Sequence, residues 1–451
     1  MNNSNEISLE LATSLAAGSL TLFLGTGFSK FMTDGKAPSW LELLYECALC
    51  LEKSEDVIED LFVVDEEVVE ECKVDLPVCA QIIEEEFIKQ NTDVRMTISK
   101  IIEEKINLNT VNKKKIRQFR DFLIKYPSVN IITTNYDSII SDYILPLKSK
   151  PVVEGSLIPK TIDIKPIFHI HGSITRPESI VLTEADYFKF LHRESYMSRK
   201  LFTLIQETTI LILGYSLGDF NLNRILNEAK ELKFNSIRKS DIYHINRRRV
   251  STIYQSYYYS TFGVSVIENK QINKLLEELD SNFKKADRLI QRAKRLPLIL
   301  EGQKAYTNDF LKLKQSFTDI LLRADALGYS LKDEILQDLI IDILNRKKLL
   351  TRGNGAWEQY EHLAYWLVHL GSLFEVTGTK IEEEFIGLVR YSFENMSEGL
   401  DIGYSWKAHS IWMTNFQHIR STNRDLIKEM VKDNPFYKKK SVIKVVQDMY
   451  A

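Results

Sequence analysis

The stretch that decides the fold is Val129-Asn130-Ile131-Ile132-Thr133-Thr134-Asn135-Tyr136-Asp137, with SIISDYIL (138–145) directly behind it. The short apolar run reads as a buried strand, the polar cluster as a turn, and the tail carries a helical pattern. Strand, polar turn and helix in that order is the grammar of an α/β protein. Working outward, the same grammar occurs at SLTLFL (19–24) before Gly25-Thr26-Gly27-Phe28-Ser29, and at Ile167-Phe168-His169-Ile170-His171-Gly172. It occurs again at Ile210-Leu211-Ile212-Leu213-Gly214-Tyr215-Ser216, ahead of NLNRILNEAKEL, and further strands are expected at 242–245 and 264–267. Short apolar strands alternating with helices predict a parallel sheet covered on both faces.

Ser39-Trp40-Leu41-Glu42 fits a capping box at the head of a helix running to about Lys53, and 54–125 reads as helical. Beyond about residue 285 strand signals stop, and LQDLIIDILNRKKLL, EHLAYWLVHLGSLFEV and IEEEFIGLVRYSFENM carry 3.6-residue apolar stripes. The expected architecture is therefore a Rossmann-like parallel sheet over 1–285 followed by an all-helical domain over 286–451. Four of the five tryptophans, Trp357, Trp366, Trp406 and Trp412, fall in that second domain and are expected in its core.

The 451 residues carry a net charge of −3, too balanced for nucleic-acid binding through bulk charge. The tight basic runs Arg247-Arg248-Arg249 and Lys438-Lys439-Lys440 read as solvated faces rather than nucleic-acid contacts. With 18 glycines and 10 prolines, turns are sparse and a mostly β chain is disfavoured. No apolar run is long enough for a membrane span and MNNSNEISLE lacks the features of a signal peptide, so the expected compartment is the cytoplasm. Cys47, Cys50, Cys72 and Cys79 are too few for a disulfide scaffold and read as helix-packing thiols, with no metal expected.

In an open parallel sheet, ligands bind beyond the carboxyl ends of the strands, where each polar cluster above would sit. A bare GxG after a strand is commonly only a tight turn. The third glycine of a dehydrogenase fingerprint is replaced by Lys30, which disfavours hydride transfer. The set GTGFS, TTNYD, HGS and GYSLGD, in that order, resembles the sirtuin family, and more closely its bacterial branch of SIR2-like antiviral-defence proteins. Gly35-Lys36-Ala37-Pro38-Ser39-Trp40 departs by one inserted residue from the G-x-P-S-W run of that branch, and TEADYFKF (183–190) resembles its pocket-side helix. The likeness covers about residues 10 to 285.

That resemblance implies that Asn135 positions the nicotinamide ribose and attacking water and that His171 is the general base. It implies that Gly25, Thr26, Gly27 and Ser29 hold a pyrophosphate, with Thr134 beside them, and that Gly214 and Ser216 line the adenosine side with Asn246 near its ribose. Asp137 fits either a ligand contact or the cap of the helix SIISDYIL, the cap being the simpler role. His169 and His171, two apart on one strand, would share a face, and a paired-histidine metal site competes there with a satisfied core role for His169. The cysteines lie upstream of TTNYD, whereas sirtuin deacylases carry their zinc-binding cysteines after the HG motif. This departure, with Pro38-Ser39-Trp40 in place of an arginine, favours hydrolysis of NAD over deacylation.

The expected activity is cleavage of the nicotinamide–ribose bond of NAD, as an antiphage effector that depletes NAD on activation. The rivals are a non-catalytic NAD or ADP-ribose sensor and a NAD-dependent deacylase. The helical half is expected to restrain the enzyme within a homo-oligomer, released by a phage-derived trigger or a partner such as a HerA-type ATPase.

Overall fold

The structure, a computed structural model, describes residues 4–66, 68–192, 195–215, 223–227, 230, 237, 241–353, 356–397, 403–432 and 439–447. The chain divides into two compact units, one of Gly18–Lys233 with Ser240–Ser281 and one of Met1–Ala17, Phe234–Lys239 and Asn282–Ala451. The first helix, Ser4–Ala16, which the sequence division counted with the sheet, thus groups with the carboxyl-terminal helices.

The strands of the first unit are β1 (Leu20–Leu24), β2 (Phe62–Asp65), β3 (Val68–Cys72), β4 (Asn130–Thr133), β5 (Ser149–Val152), β6 (Lys165–His169), β7 (Thr209–Leu213), β8 (Ile242–Ile245) and β9 (Val264–Ile267). Seven of them form one parallel sheet in the order β5-β6-β4-β1-β7-β8-β9. A parallel sheet is covered on both faces, so its central strands are largely apolar, and every residue of β1 and β7 is buried. Leu24 is level with Thr133 on one side and Leu213 on the other, and Thr133 is level with His169. The residues that follow these strands therefore emerge side by side at one edge of the sheet.

Each apolar run read as a strand is one, but β5 escapes that reading. Its sequence Ser-Lys-Pro-Val is not apolar; it survives at the sheet edge, where proline removes no ladder bond the fold needs. The stretch 54–125 is not helical throughout, because β2 and β3 form an antiparallel hairpin around Glu66 (φ +44°). The β-branched pairs Val63-Val64 and Val68-Val69 outweigh the acidic residues around them. The capping box is present, but its helix, Trp40–Leu49, stops short of Lys53. The tail SIISDYIL forms only a five-residue π-helical turn, Ile140–Ile144, in which Leu145 N donates to Ile140 O (2.7 Å). The Arg120 guanidinium takes the carbonyls of Tyr143 and Ile144 (Ile144 at 2.7 Å), drawing them out of a regular helical ladder.

The helical unit has its own apolar core, built around Phe317, Trp366, Phe385, Phe393 and Trp412. Trp357 and Trp406 depart from the expectation of four core tryptophans: they are 59% and 67% exposed. The stripe of EHLAYWLVHL is used inside the unit, since Leu363 through Val368 and Leu370 are all buried in the helix Trp357–Leu373. No described helix is long and apolar enough to cross a membrane.

Candidate active site

Beyond β1, β4, β6 and β7 lies a cavity of about 380 Å³ whose lining includes Thr26, Ser29, Trp40, Thr134, Asn135, Asp137, His171, Tyr187 and Tyr215. A second, of about 740 Å³, shares Thr26, Ser39 and Tyr215 with it and extends past Gly27 and Gly214 to Asn246 at the end of β8. Of the expected residues, Thr26, Ser29, Thr134, Asn135, Asp137 and His171 line the first cavity, Thr26, Gly27, Gly214 and Asn246 the second, and Gly25 neither. Ser216 lies outside the described residues.

Asn135 organises the first cavity. Its backbone N–H donates to Thr133 Oγ1 (3.0 Å), and its side-chain Nδ2 donates to Gly25 O (2.9 Å) and Ser29 Oγ (2.8 Å). Both protons of the amide are committed, which fixes the orientation of the group. Its Oδ1 is buried and has no partner among the described residues, although Asn135 is only 5% exposed. A buried acceptor left unpaired costs about 1–3 kcal/mol, so a hydroxyl or water bound there would recover that cost.

Ser29 continues the chain by donating to Asp137 Oδ2 (2.6 Å), while Asp137 Oδ1 accepts from Ile139 N (3.1 Å). Asp137 therefore lines the cavity and holds the backbone at the entry to the short turn through Ile139 N. Burial pushes its carboxyl pKa up, opposed by these two hydrogen bonds.

The two histidines do not share a strand face, because β6 ends at His169 and His171 sits in the turn after it. His169 is a core residue whose Nδ1 meets Asn135 O (2.9 Å). Burial pulls its pKa down to about 4, so the ring is neutral and Nδ1–H donates. His171 is 5% exposed and lines the cavity, with its ring 5.6 Å from that of Tyr187. Its backbone is pinned by Val181 N donating to His171 O (2.9 Å), and Gly172 behind it has φ +85°. A Cβ at Gly172 would meet Ser179 O at 2.2 Å, so only glycine allows this approach.

The two glycine amides of the loop after β1 are bonded within the fold. Gly25 N donates to Leu213 O (3.0 Å) and Gly27 N to Gly214 O (2.6 Å), so both donors are used within the fold. The glycines are required because the loop after β1 and that after β7 pass in contact: a Cβ on Gly214 (φ +66°) would lie 2.1 Å from Phe28 N. Thr26 and Ser29 are the loop residues that face the first cavity.

Sequence motifs did not single out the aromatic wall. Trp40 and Tyr187 stack at 5.9 Å, and Trp40 Nε1 is buried without a partner among the described residues. Trp40 is aimed by the Ser39–Glu42 capping box, itself tied to the loop by the Lys30–Glu42 ion pair (2.7 Å). Tyr187 rides on the helix Glu184–His192, anchored by Asp186 to Arg95, which also binds Glu84 and Ile180 O. The signals lay in the GKAPSW and TEADYFKF segments, but which side chain faced the pocket was not readable there. Among the described residues no cluster of three His, Cys, Asp or Glu could hold a metal; Cys47 and Cys79 are buried and Cys50 is exposed.

A sheet of this order, with polar residues gathered where β1 hands over to β4 on one side and β7 on the other, defines an α/β protein of Rossmann type with its cleft at the topological switch point. Residues 129–267 match the SIR2-like domain family. It is 26% identical over 136 residues to Defense-associated sirtuin 2 of Bacillus subtilis, a match covering 28% of this chain and 13% of that relative.

Proposed function

We propose that the chain is an NAD glycohydrolase acting in antiviral defence. The observation that carries this reading is the Asn135 amide, with both protons committed and a buried, unpartnered Oδ1 in the cavity that His171 also lines. Its SIR2-like domain belongs to a family that uses NAD, and the name of the similar Bacillus subtilis protein supports a defence role.

Nicotinamide is a good leaving group, because it departs with the bonding electron pair and loses its ring charge. The sugar left behind is oxocarbenium-like, so orientation and a placed water matter more than a strong nucleophile. Asn135 Oδ1 accepts a hydrogen bond from that water and holds it toward C1′. The water oxygen forms the new bond to C1′ as the bond to nicotinamide breaks, and His171 takes up the released proton. The products are ADP-ribose and nicotinamide. Trp40 and Tyr187 offer ring faces to the cationic pyridinium, an interaction worth about 0.5–2 kcal/mol, and exclude water from the leaving-group side.

The helical unit is proposed as the restraint, in a homo-oligomer, that a phage component or partner ATPase relieves. The test is to express the full chain and its Asn135→Ala variant in cells, infect with a phage panel, and follow nicotinamide, ADP-ribose and NAD. Loss of NAD in the parent and not in the variant is expected. Defence that persists with NAD intact would sink the hydrolase reading.

A further inference from the structure

The second cavity has an unusual lining for the ribose of an unphosphorylated adenosine. Ribose hydroxyls are donors and are commonly met by an Asp or Glu at the end of a strand, yet among the described residues no carboxylate lines this cavity. Asn246 occupies that strand-end position, but its Oδ1 already accepts from Arg248 N (2.9 Å), which leaves its amide protons as the group to offer. The groups beside it are cations. Lys30 and Lys115 are answered by Glu42 and Asp34, both at 2.7 Å. Arg247 and Arg248 line the same cavity, are exposed, and have no ion pair among the described residues. The Asn246 turn thus brings two arginines without an ion pair among the described residues to the lining of this cavity.

A second observation marks the cavity as a ligand site. His244, one of its lining residues, is 6% exposed; its Nε2 meets Tyr215 O (2.7 Å) and its Nδ1 is buried without a partner among the described residues. Burial lowers its pKa, so the ring is neutral, Nε2–H donates to the carbonyl, and Nδ1 is an acceptor. Such an acceptor suits a donor of the adenosine, the 3′-hydroxyl or the 6-amino group.

Resting on the dinucleotide reading of the cleft, we propose that Arg247, Arg248 and the Asn246 amide form a subsite for a 2′-phosphate, so that NADP is a substrate preferred over NAD. Charge-assisted hydrogen bonds from guanidinium to phosphate are the strong ones, and an arginine near the ribose is a known way to accommodate a 2′-phosphate.

The experiment titrates the purified full chain, by calorimetry at fixed salt, with adenosine 2′,5′-bisphosphate, adenosine 3′,5′-bisphosphate and adenosine 5′-monophosphate. None of these carries a scissile bond, so the result does not depend on turnover. The expected result is binding of the 2′,5′ compound at least about 10-fold tighter than the other two, consistent with one or two charge-assisted bonds. In R247A/R248A, with its fold checked by circular dichroism, that ratio should fall to about one. Equal affinity for the two bisphosphates would reduce the arginines to unspecific charge and overturn the proposal. A preference that survives the double substitution would overturn the assignment of these residues. Equal binding of all three ligands removes the 2′-phosphate subsite and leaves NAD cleavage standing. Failure of all three to bind, with no nicotinamide released from NAD, removes the dinucleotide reading itself.

Discussion

Asn135 in the sheet unit and Lys347 in the helical unit are both buried polar side chains, and they are completed in opposite ways. Lys347 is fully buried, yet its Nζ donates to Leu311 O (2.8 Å), Gln359 Oε1 (2.7 Å) and, more weakly, Lys312 O (3.3 Å), over the face of Trp366. Its donors are used within the unit, where it pins the segment around Leu311 to the helices Glu334–Leu350 and Trp357–Leu373. Asn135 spends its donors on the fold and keeps its acceptor for something else. An unpaired atom alone does not make a site. Arg323 in the helical unit also has unpaired nitrogens, but its charge is met by the Phe310 ring (5.1 Å) and by nearby Asp319. What distinguishes Asn135 is that its free atom belongs to a residue lining a cavity with a histidine opposite.

The strongest way to break this contrast is at His171. Replacing it by alanine should lower nicotinamide release by about 100-fold to 10,000-fold, the range for loss of a general base. The backbone bond from Val181 N to its carbonyl is kept in the variant, and circular dichroism checks that the fold survives loss of the buried ring. Measured in activated cells or with an activated preparation, near-parental turnover would remove the base assignment.

That His171 and Asn135 could be chosen at all reflects how the fold writes its site. Each polar cluster stands directly after an apolar run, so the strand ends were legible, while the choice of Asn135 and His171 among them rested on the resemblance to the SIR2-like branch. The aromatic wall was hidden because Trp40 and Tyr187 come from helices far apart in the chain, and only the fold brings their rings into a stack. β5 was hidden because an edge strand need not be apolar, and the β2–β3 hairpin because its valine pairs are diluted by acidic residues. The exposed Trp357 and Trp406 show the limit of composition: ring count says nothing of which rings find the core.

A second test addresses the close passage of the two loops that frame the cleft. Gly214→Ala should destabilise the sheet unit by more than about 4 kcal/mol, since it combines a left-handed φ with a Cβ contact of 2.1 Å to backbone that cannot yield. Gly378→Ala in the helical unit shares a positive φ (+73°) but meets nothing within 4 Å, so it should cost only about 1–2 kcal/mol. Equal losses in denaturant melts of the two variants would show that φ alone, not the close approach, makes Gly214 necessary.

A third test asks whether Lys347 is the fixed scaffold it resembles. Burial lowers its pKa to about 7, against about 10.4 in an unfolded chain. Between those values the unfolded state binds the extra proton, so stability of the helical unit should rise as pH increases from about 7 to about 10 and be flat below. The ceiling is on the order of 4 kcal/mol, reduced by the hydrogen bonds that favour the ammonium form. Lys347→Met should remove this rise; an unchanged slope would mean that the ammonium is retained when buried.

The smallest expected effect is the acid response of the site itself. The neutral His169 ring donates to the carbonyl of Asn135, so its protonation state is coupled to the residue on which the site depends. With a folded pKa of about 4 and an unfolded one near 6.5, the unfolded chain binds the extra proton between these values. Its contribution is therefore complete above about pH 6.5 and is lost as pH falls toward 4, with a ceiling of about 3 kcal/mol. His244, lowered by burial in the same unit, adds in the same direction. In His169→Gln the side-chain amide can still donate to Asn135 O but does not titrate, so the variant should unfold with a shallower dependence on pH between about 4 and 6.5. Following the difference in tryptophan fluorescence between the parent and a Trp40→Phe variant, together with circular dichroism, separates a local opening of the cavity from global unfolding. If parent and variant show the same slope, protonation of His169 is not what acid acts on, and the neutral ring beneath Asn135 would have to be abandoned as the support of its geometry.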